Sequence, residues 1–507
     1  MTLTAGEQYI LELINRARLD PAAEAERYGV DLNDGLSSGT IGTEALQVLA
    51  PSAALQAAAT KHSNWMLEED QFSHSGGSGS NAGARIQDNG YDLIGSWGWR
   101  ENLVWVGTTG SIDLTAAIEQ NHESLYLSES HRVNTFAAGM QEVGLGQASG
   151  QFTYNGTTYN SLMLTENFAR SGSQVFITGV AYTDTDKDDF YSIGEGQSGV
   201  WVRADGVKET SAAAGGYGVE IREQNEVRVV VGTGNTRLAV LDMDTSDGNV
   251  KLDIVTQSDG SQSLEVSGSA KIVSGITDVT LLGSGDLDLR GSNRTDTVTG
   301  NTGENLIEGK GGEDTIYGGD GDDVVDGGYN NDLIYGGNGD DLVIGYSGYD
   351  KIYGGAGDDV MQGGVGSDKV WGDAGDDLVL GQGGSDWLYG GDGNDRMLGG
   401  DGSDRLYGGA GSDLIDGGNG NDVMTGDAGR DRFVFSGAQD EITDFTNNVD
   451  TIYLRSDVIG DDMTVVDVLD VGHIVDGDAV FNFGGGHVLT VDNISDLQIL
   501  ANDMVII

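Results

Sequence analysis

The chain has 507 residues, long enough for several domains, and carries 82 acidic against 26 basic residues for a net charge of -56. A charge of this sign excludes binding to nucleic acid or to an anionic membrane surface by bulk electrostatics, and it suits the binding of cations. The sequence contains 84 glycines, two prolines and no cysteine, which excludes a disulfide framework.

The N-terminal twenty residues lack a basic stretch followed by a continuous apolar run, so they do not resemble a secretory signal peptide. Ile10, Leu11, Leu13 and Ile14 fall at helical spacing between polar residues, which predicts the first helix of a folded domain. The sequence has no run of eighteen apolar residues, and we therefore expect no transmembrane helix.

Residues 1–172 contain an ordered series of short motifs. A predicted helix over 7–18 comes first, and the stretch LQAAATKHSNWMLEEDQFSHSG then ends in the pair His74 and Ser75. RENLVW, SESHRVN, EVGLG and LMLTENFA follow in that order. Each motif is weak alone, but the ordered set resembles the CAP superfamily, also called SCP. The resemblance implies an α-β-α sandwich.

Members of that family gather two histidines and two acidic residues in a cleft. The resemblance implies that the cleft here holds His74, Glu101, Glu129 and His131, with Glu123 as the alternative to Glu129. Two imidazoles beside carboxylates can hold Zn²⁺, carry out acid–base chemistry, or form a polar network that fixes the cleft. These three interpretations stay open at the level of the sequence.

No HExxH and no GxSxG motif occurs in the chain, which favours binding over catalysis. We therefore expect the N-terminal domain to bind a metal or a small-molecule, lipid or surface ligand. An extracellular hydrolase or protease is one alternative, and an adhesive or matrix protein is another.

Residues 173–281 contain short apolar runs separated by turn residues, which predicts a small β-sandwich-like domain. The segment DTDKDDFYSIGE matches an EF-hand-like loop at its ligand positions one, three, five, seven, nine and twelve: Asp184, Asp186, Asp188, the Phe190 carbonyl, Ser192 and Glu195. Position six is Asp189 instead of glycine, and the flanking segments are predicted strands, so a true EF-hand is not expected. A calcium-binding hairpin loop and a merely acidic turn both fit.

From residue 291 to residue 434 the chain divides into sixteen consecutive nonapeptides with the pattern G-G-x-G-x-D-x-U-x. Position eight is apolar in every unit, and a fixed apolar register argues against a disordered tract. Position six is Asn305 in the second unit and an aspartate in all others: Asp296, Asp314, Asp323, Asp332, Asp341, Asp350, Asp359, Asp368, Asp377, Asp386, Asp395, Asp404, Asp413, Asp422 and Asp431.

This pattern matches the repeat of calcium-binding parallel β-helices and resembles the RTX family. Positions seven to nine are predicted to form a strand with position eight pointing inward, and the first six residues a turn. Two nonapeptides make one coil, so sixteen predict eight coils, about 40 Å in length. Stacked position-six carboxylates and backbone carbonyls suit Ca²⁺. Without it, a block with 29 acids and 8 bases is expected to be unfolded.

Residues 435–507 alternate strand-like runs with Gly and Asp turns, which predicts a β-rich cap. Segments 431–433, 442–445 and 450–452 resemble the flank that closes RTX solenoids. The end of the chain, 502–507, resembles the uncleaved C-terminal signal of type I secretion, although an ordinary capping strand also fits.

The sequence as a whole predicts a multidomain protein. The expected parts are a CAP domain at 1–172, a β-rich domain at 173–281, a calcium-binding β-roll at 282–434 and a flank with secretion signal at 435–507. We expect a secreted, extracellular protein with several Ca²⁺ ions and a candidate Zn²⁺ in the cleft. The expected partner is a type I secretion transporter, with no nucleic acid.

Overall fold

The computed structural model describes residues 2–222, 224 and 226–507 and divides the chain into two compact units, Met1–Gly285 and Asp286–Ile507. The four domain ranges expected from the sequence stay a prediction, because the structure separates only these two units. In the described ranges, no helix is both long enough and apolar enough to cross a membrane.

The N-terminal domain combines a small sheet with several helices. The helices are α1 Ala5–Leu19, α2 Pro21–Arg27, α3 Ala53–Glu68, α4 Ala82–Asp88, α5 Leu114–Leu127 and α6 Glu129–Thr135, with a 3₁₀ turn at Gly77–Gly79. The strands are β1 Ala50–Pro51, β2 Trp97–Thr108, β3 Glu142–Tyr154 and β4 Thr157–Ser171. Their order is β1-β3-β4-β2, with β1 parallel to β3 and the other neighbours antiparallel.

Helices cover both faces of this sheet. Leu162 and Leu164 of β4 share a core cluster with Ile14 of α1 and Ile118 of α5, whereas Met163 packs with Met66 of α3. Because successive strand residues point to opposite faces, the two clusters lie on the two sides of the sheet. The predicted α-β-α sandwich is confirmed.

The EVGLG motif is explained by the close approach of helix α3 to strand β3. A methyl group at Gly144 would lie 2.0 Å from the Leu55 carbonyl carbon, and one at Gly146 would lie 2.1 Å from that of Ala59. Only glycine permits this separation, so both positions bring the helix backbone directly onto the strand.

The middle segment is built of strands. They are β5 Gln174–Thr183, β6 Val200–Ala204, β7 Val207–Thr210, β8 Gly216–Arg222, β9 Val227–Thr233, β10 Thr236–Met243, β11 Val250–Thr256, β12 Gln262–Val266, β13 Ala270–Gly275 and β14 Asp278–Leu281. Among the described residues they form two sheets, ordered β8-β5-β11-β12-β14 and β7-β6-β9-β10-β13. The two-sheet arrangement agrees with the sandwich expected from the sequence.

The repeat block and the residues directly before it consist of short strands separated by turns. They are β15 Asp288–Arg290, β16 Thr297–Thr299, β17 Leu306–Glu308, β18 Thr315–Asp320, β19 Val324–Asp326, β20 Leu333–Asn338, β21 Leu342–Ile344, β22 Ser347–Gly348, β23 Lys351–Ala356, β24 Val360–Gly366, β25 Lys369–Ala374, β26 Leu378–Gly383, β27 Trp387–Asp392, β28 Arg396–Gly402, β29 Arg405–Gly411, β30 Leu414–Gly420, β31 Val423–Gly429 and β32 Arg432–Phe435.

Stacked strands of this block are parallel and shifted by two nonapeptides, as Val298 opposite Ile316 and Ile316 opposite Ile334 show. Every position-eight side chain is fully buried, from Val298 to Phe433. The parallel β-roll and its inward apolar column, both predicted from the repeat, are confirmed.

Glycines in the turns allow one coil to lie directly on the next. A methyl group at Gly384, whose φ is 150°, would lie 1.2 Å from the carbonyl oxygen of Gly366. Such contact between backbones leaves no room for a side chain, which accounts for the glycine at this position of the repeat.

Aromatic residues at position nine of alternate nonapeptides form a continuous stack along one face of the roll. Neighbouring ring centroids are 4.5 to 5.4 Å apart and the planes differ by at most 11°. The rings belong to Tyr317, Tyr335, Tyr353, Trp371, Tyr389 and Tyr407. This ladder adds side-chain stacking to the backbone ladder of the sheet.

The roll has about eleven coils, because coils outside residues 291–434 add to the eight predicted for the sixteen nonapeptides. The fully buried Leu289 continues the inward column before the nonapeptides, and Ile442 and Ile452 continue it after them. These coils lack the Gly-Gly pattern on which the count of eight depended.

The C-terminal segment closes the roll. It contains β33 Gln439–Ile442, β34 Thr451–Leu454, α7 Ser456–Ile459, α8 Val465–Val471, β35 Gly472–Val475, β36 Asp478–Gly484, β37 His487–Val491, a 3₁₀ helix Leu497–Asn502 and β38 Met504–Ile506. Strand β37 pairs in parallel with β33, and β38 with β34. The last residues of the chain are thus part of the stacked sheets.

Candidate metal-binding turns and the N-terminal cleft

The position-six side chains of the repeat block connect successive coils. Each aspartate from Asp314 to Asp431 accepts, through Oδ1, the backbone N–H of the position-six residue eighteen positions earlier. The Asp341 N–H, for example, donates to Asp359 at 2.8 Å. All of these side chains are at most 3 % exposed. One carboxylate oxygen of each aspartate is therefore used by the protein itself.

The other oxygen of most of these carboxylates is buried and unpaired. Within the described part of the chain, Oδ2 has no hydrogen-bond partner in Asp314, Asp323, Asp332, Asp341, Asp350, Asp359, Asp368, Asp377, Asp386, Asp395, Asp404, Asp413 and Asp422. Burial raises the pKa of Asp332 to about 8 and that of Asp359 to about 7. Buried, unpaired oxygens are costly, and a row of them fits a hard cation that takes oxygen ligands.

The first two units of the block differ from the others. The Ser292 N–H donates to Asp296 Oδ2 at 2.5 Å, and the Asn301 N–H donates to Asn305 Oδ1 at 2.8 Å. In these two turns a backbone N–H donates to the side-chain oxygen whose counterpart in most later turns, Oδ2, has no hydrogen-bond partner. Among the described residues, the row of buried, unpaired oxygens therefore begins at Asp314, and the ligand role of Asp296 stays a prediction.

Two aspartates beyond the nonapeptides extend the same ladder. The Asp422 N–H donates to Asp440 Oδ1 at 3.2 Å, and the Asp431 N–H donates to Asp450 Oδ1 at 3.0 Å. Asp450 lies in the flank predicted from the sequence, whereas Asp440 was not predicted as a ladder residue. Its signal is the spacing of Asp440 and the apolar Ile442, nine residues after Asp431 and Phe433.

A cleft of about 620 Å³ opens on the N-terminal domain. His74 and Glu101, two of the four predicted cleft residues, line it together with Trp97, Trp99 and Arg100. His74 lies after helix α3, and the other four lie on strand β2. The side chains supply two indole rings, a guanidinium and an imidazole.

Glu101 is held by several partners at once. Its Oε1 lies 2.9 Å from His74 Nδ1, and its Oε2 forms a close ion pair with Arg85. The Asn167 amide, oriented by the Ala59 N–H, also donates to Oε2 at 3.2 Å. Both carboxylate oxygens of Glu101 are therefore engaged within the protein.

The other two predicted cleft residues have separate contacts. His131 Nδ1 is bonded to Ser128 Oγ at 2.8 Å, and the Glu129 carboxylate lies against Gly35. Burial and the charge of the neighbouring His74 lower the pKa of His131. Among the described residues, no group of three metal-ligating side chains forms in this cleft. Zn²⁺ at this site is therefore not supported.

A polar network that was not predicted from the sequence lies next to these residues. The Asn102 amide donates to Glu166 Oε2 at 3.0 Å and to the His131 carbonyl at 3.2 Å, and Asn134 donates to Asn102 Oδ1 at 2.9 Å. Glu166 is buried, and burial raises its pKa to about 7. The one indication of Glu166 in the sequence is its place in LMLTENFA, and that motif predicted only a core strand. This network supports the interpretation of the cleft residues as a fixed polar framework.

The acidic loop of the middle segment brings three carboxylates together. One oxygen each of Asp184, Asp186 and Asp188 lies within 4.8 Å of the other two. Asp189, at the position where the EF-hand loop has glycine, takes the left-handed φ of 53°. Glu195, the expected twelfth ligand, accepts the Thr185 N–H at 2.7 Å. Strands flank the loop, as the sequence predicted.

Comparison with known families agrees with both resemblances. The model of the RTX calcium-binding nonapeptide repeat matches overlapping segments from residue 290 to residue 433. The model of the Cysteine-rich secretory protein family, CAP, matches residues 11–164. The chain joins a CAP domain to RTX repeats.

A solved structure similar to the chain is an extracellular protein containing an SCP domain from Bacillus anthracis str. Ames. The identity is 19 % and the TM-score 0.21, over 33 % of this chain and 40 % of that one. The match thus spans less than half of either protein. Comparison with the curated proteins found no match. The RTX repeats and the CAP domain make this a calcium-binding protein of an extracellular type.

We predict that Asp359→Asn raises the Ca²⁺ concentration needed to fold the RTX repeats, whereas Asp296→Asn does not. Asparagine keeps Oδ1 for the Asp341 N–H but replaces the buried, unpaired oxygen of Asp359 by an amide. Asp296 already receives the Ser292 N–H. Far-UV circular dichroism of the full chain during a Ca²⁺ titration checks this, and equal midpoints for the two variants would contradict it.

The raised pKa of Glu166 predicts that the stability of the CAP domain depends on pH. Its folded pKa of about 7 lies above the ordinary 4.5, so the folded domain keeps a proton that the unfolded chain releases. This contribution is complete below pH 4.5 and is lost as the pH rises through 7. Glu166→Gln should remove that loss, up to about 3 kcal/mol for a fully buried group.

The measurement is urea unfolding of the full chain in saturating Ca²⁺ at pH 5 and pH 8, read by hydrogen exchange of peptides from β4. Glu68→Gln, on the exposed end of α3, is the matched control and should behave as the unchanged chain does. A wild-type CAP domain with equal stability at both pH values would refute the assignment.

Proposed function

We propose that this protein leaves the cell unfolded through a type I secretion transporter and folds outside when its RTX turns bind Ca²⁺. The observation that carries the proposal is the row of buried, unpaired Oδ2 atoms from Asp314 to Asp422. Bound Ca²⁺ would coordinate these oxygens and offset their negative charge. At the low free Ca²⁺ of the cytosol the acidic block stays extended by self-repulsion.

The folded repeats then carry the CAP domain as a secreted module. The C-terminal segment has two roles in this proposal, as the signal read by the transporter and as the cap of the roll. Support for the second role is the parallel pairing of β38, Met504–Ile506, with β34. A cap at this end gives the emerging chain a place to start folding. Affinity for Ca²⁺ is expected in the range of extracellular modules, about 10⁻⁴ to 10⁻³ M.

For the CAP domain we propose binding of a small ligand. The favouring observation is the cleft beside Trp97, which is 54 % exposed, with Trp99 and Arg100 along the same wall. Such a wall suits a ligand with an apolar face and an acceptor group. Catalysis by a hydrolase or protease is less favoured, because Glu101 is engaged by Arg85 and His74. An adhesive role stays an alternative.

The test expresses the full chain together with its cognate type I transporter, in media with about 1 mM Ca²⁺ or with a chelator. We expect export in both media, and a protease-resistant fragment covering residues 286–507 only with Ca²⁺. The physical reason is that metal-free turns leave the carboxylate oxygens unpaired.

The control is a chain without residues 435–507, which should stay in the cell. Fusion of 286–507 to an unrelated passenger should direct that passenger out, and the same fusion without 435–507 should not. Export of the truncated chain would overturn the assignment of the signal. Protease resistance in chelator would overturn Ca²⁺-dependent folding.

A further inference from the structure

A cation site separate from the RTX repeats is indicated by the acidic loop between β5 and β6. Asp184, Asp186 and Asp188 each offer a carboxylate oxygen within 4.8 Å of the others. Ca²⁺ binds oxygens at 2.3 to 2.6 Å, so oxygens around one ion are at most about 5 Å apart. The observed spread fits a single ion. Without one, three carboxylates at this separation repel each other.

An independent observation at Asp184 points to a ligand. This residue is 1 % exposed, and its Oδ1 accepts the Lys187 N–H at 2.7 Å. Its Oδ2 is buried and has no hydrogen-bond partner in the described ranges. A buried, unpaired carboxylate oxygen costs free energy unless a cation or donor meets it. The acidic composition of the loop alone would not require this.

Hydrogen bonds within the loop hold its shape. The Glu195 carboxylate accepts the N–H groups of Thr185 at 2.7 Å and Ser192 at 2.8 Å, which joins the two ends of the loop. Lys187 and Asp189 both take left-handed φ values, 65° and 53°. Glu195 thus has a structural role, and the three aspartates are left as the ligand set.

The same loop packs against the first helix of the CAP domain. The Phe190 ring lies 6.2 Å from the Tyr9 ring, and the Arg16 guanidinium lies 5.0 Å from the centre of the Phe190 ring. Tyr191, 1 % exposed, packs edge-on against Tyr182 at 6.1 Å. Tyr9 and Arg16 belong to α1, so residues directly after the acidic cluster connect the middle segment to the CAP domain.

We propose that residues 184–188 bind a divalent cation and that this binding stabilises the packing of the loop against helix α1. Three carboxylates are hard oxygen ligands, which favours Ca²⁺. Ca²⁺ is favoured over Mg²⁺ because Mg²⁺ keeps several of its waters and demands a stricter geometry. The cation would thus order the loop whose Phe190 contacts Tyr9 and Arg16 of helix α1.

The test is hydrogen exchange with mass spectrometry on the full chain during a Ca²⁺ titration. Peptides covering 184–195 and 5–19 should exchange more slowly as Ca²⁺ is added. At ten times the dissociation constant, exchange through loop opening slows roughly ten-fold. Asp186→Ala should abolish this slowing while peptides from 291–434 respond as before.

Two further variants complete the design. Asp189→Asn removes one negative charge beside the cluster, tolerates the left-handed φ, and should keep the full response. Asp184→Asn keeps the acceptor for the Lys187 N–H and should weaken the response. Mg²⁺ at equal concentration should protect the loop less than Ca²⁺ does.

The proposal is overturned if Ca²⁺ slows exchange in the repeats but not in the loop peptides. It is also overturned if Ca²⁺ slows exchange of the loop in Asp186→Ala as much as in the wild-type chain. The proposal would also be overturned if Asp189→Asn lost the Ca²⁺ response as fully as Asp186→Ala does. The negative charge of the loop, and not a defined set of ligands, would then explain the effect. Equal protection by Mg²⁺ would overturn the assignment to Ca²⁺.

Discussion

The RTX part of the molecule depends on the unequal use of two oxygens in each position-six aspartate. One oxygen accepts a backbone N–H from the preceding coil, as Asp359 does from Asp341, and so fixes the stacking of the coils. The other is buried without a partner in the described residues from Asp314 to Asp422. The same side chain thus defines the fold and makes that fold costly without a cation. The thin core of one inward residue per nonapeptide leaves little to offset that cost.

The sequence predicted the roll because its two determinants recur at a fixed period. The inward column and the ladder aspartates occupy positions eight and six, so one register explains Val298, Ile316 and all later units. The period does not show where the local hydrogen bonding changes. Asp296 has its oxygen satisfied by the Ser292 N–H, and Asp440 continues the ladder without a Gly-Gly turn. The nine-residue period predicts where the coils are. Whether the second carboxylate oxygen is left unpaired depends on the backbone N–H groups of each turn.

The CAP domain was predictable in its layers and not in its cleft. The order of short motifs implied the α-β-α sandwich, and Gly144 and Gly146 show why EVGLG is needed where α3 meets β3. The pairing of Glu101 with Arg85 could not be predicted, because Arg85 lies in α4 and belongs to none of the recognised motifs. That ion pair engages one carboxylate oxygen of Glu101 within the protein. In the acidic loop, Glu195 was predicted as a ligand from its position alone, and its hydrogen bonds to both ends of the loop could not be read from the sequence.

Anomalous diffraction from crystals of the full chain grown with Ca²⁺ tests the central claim most directly. We expect ions beside Oδ2 in the turns of Asp314 through Asp422. None is expected beside Asp296 or Asn305, where a backbone N–H already donates to the corresponding side-chain oxygen. Well-ordered turns in which N–H groups or cationic side chains satisfy Oδ2 of Asp359 and its neighbours, with no ion present, would contradict it.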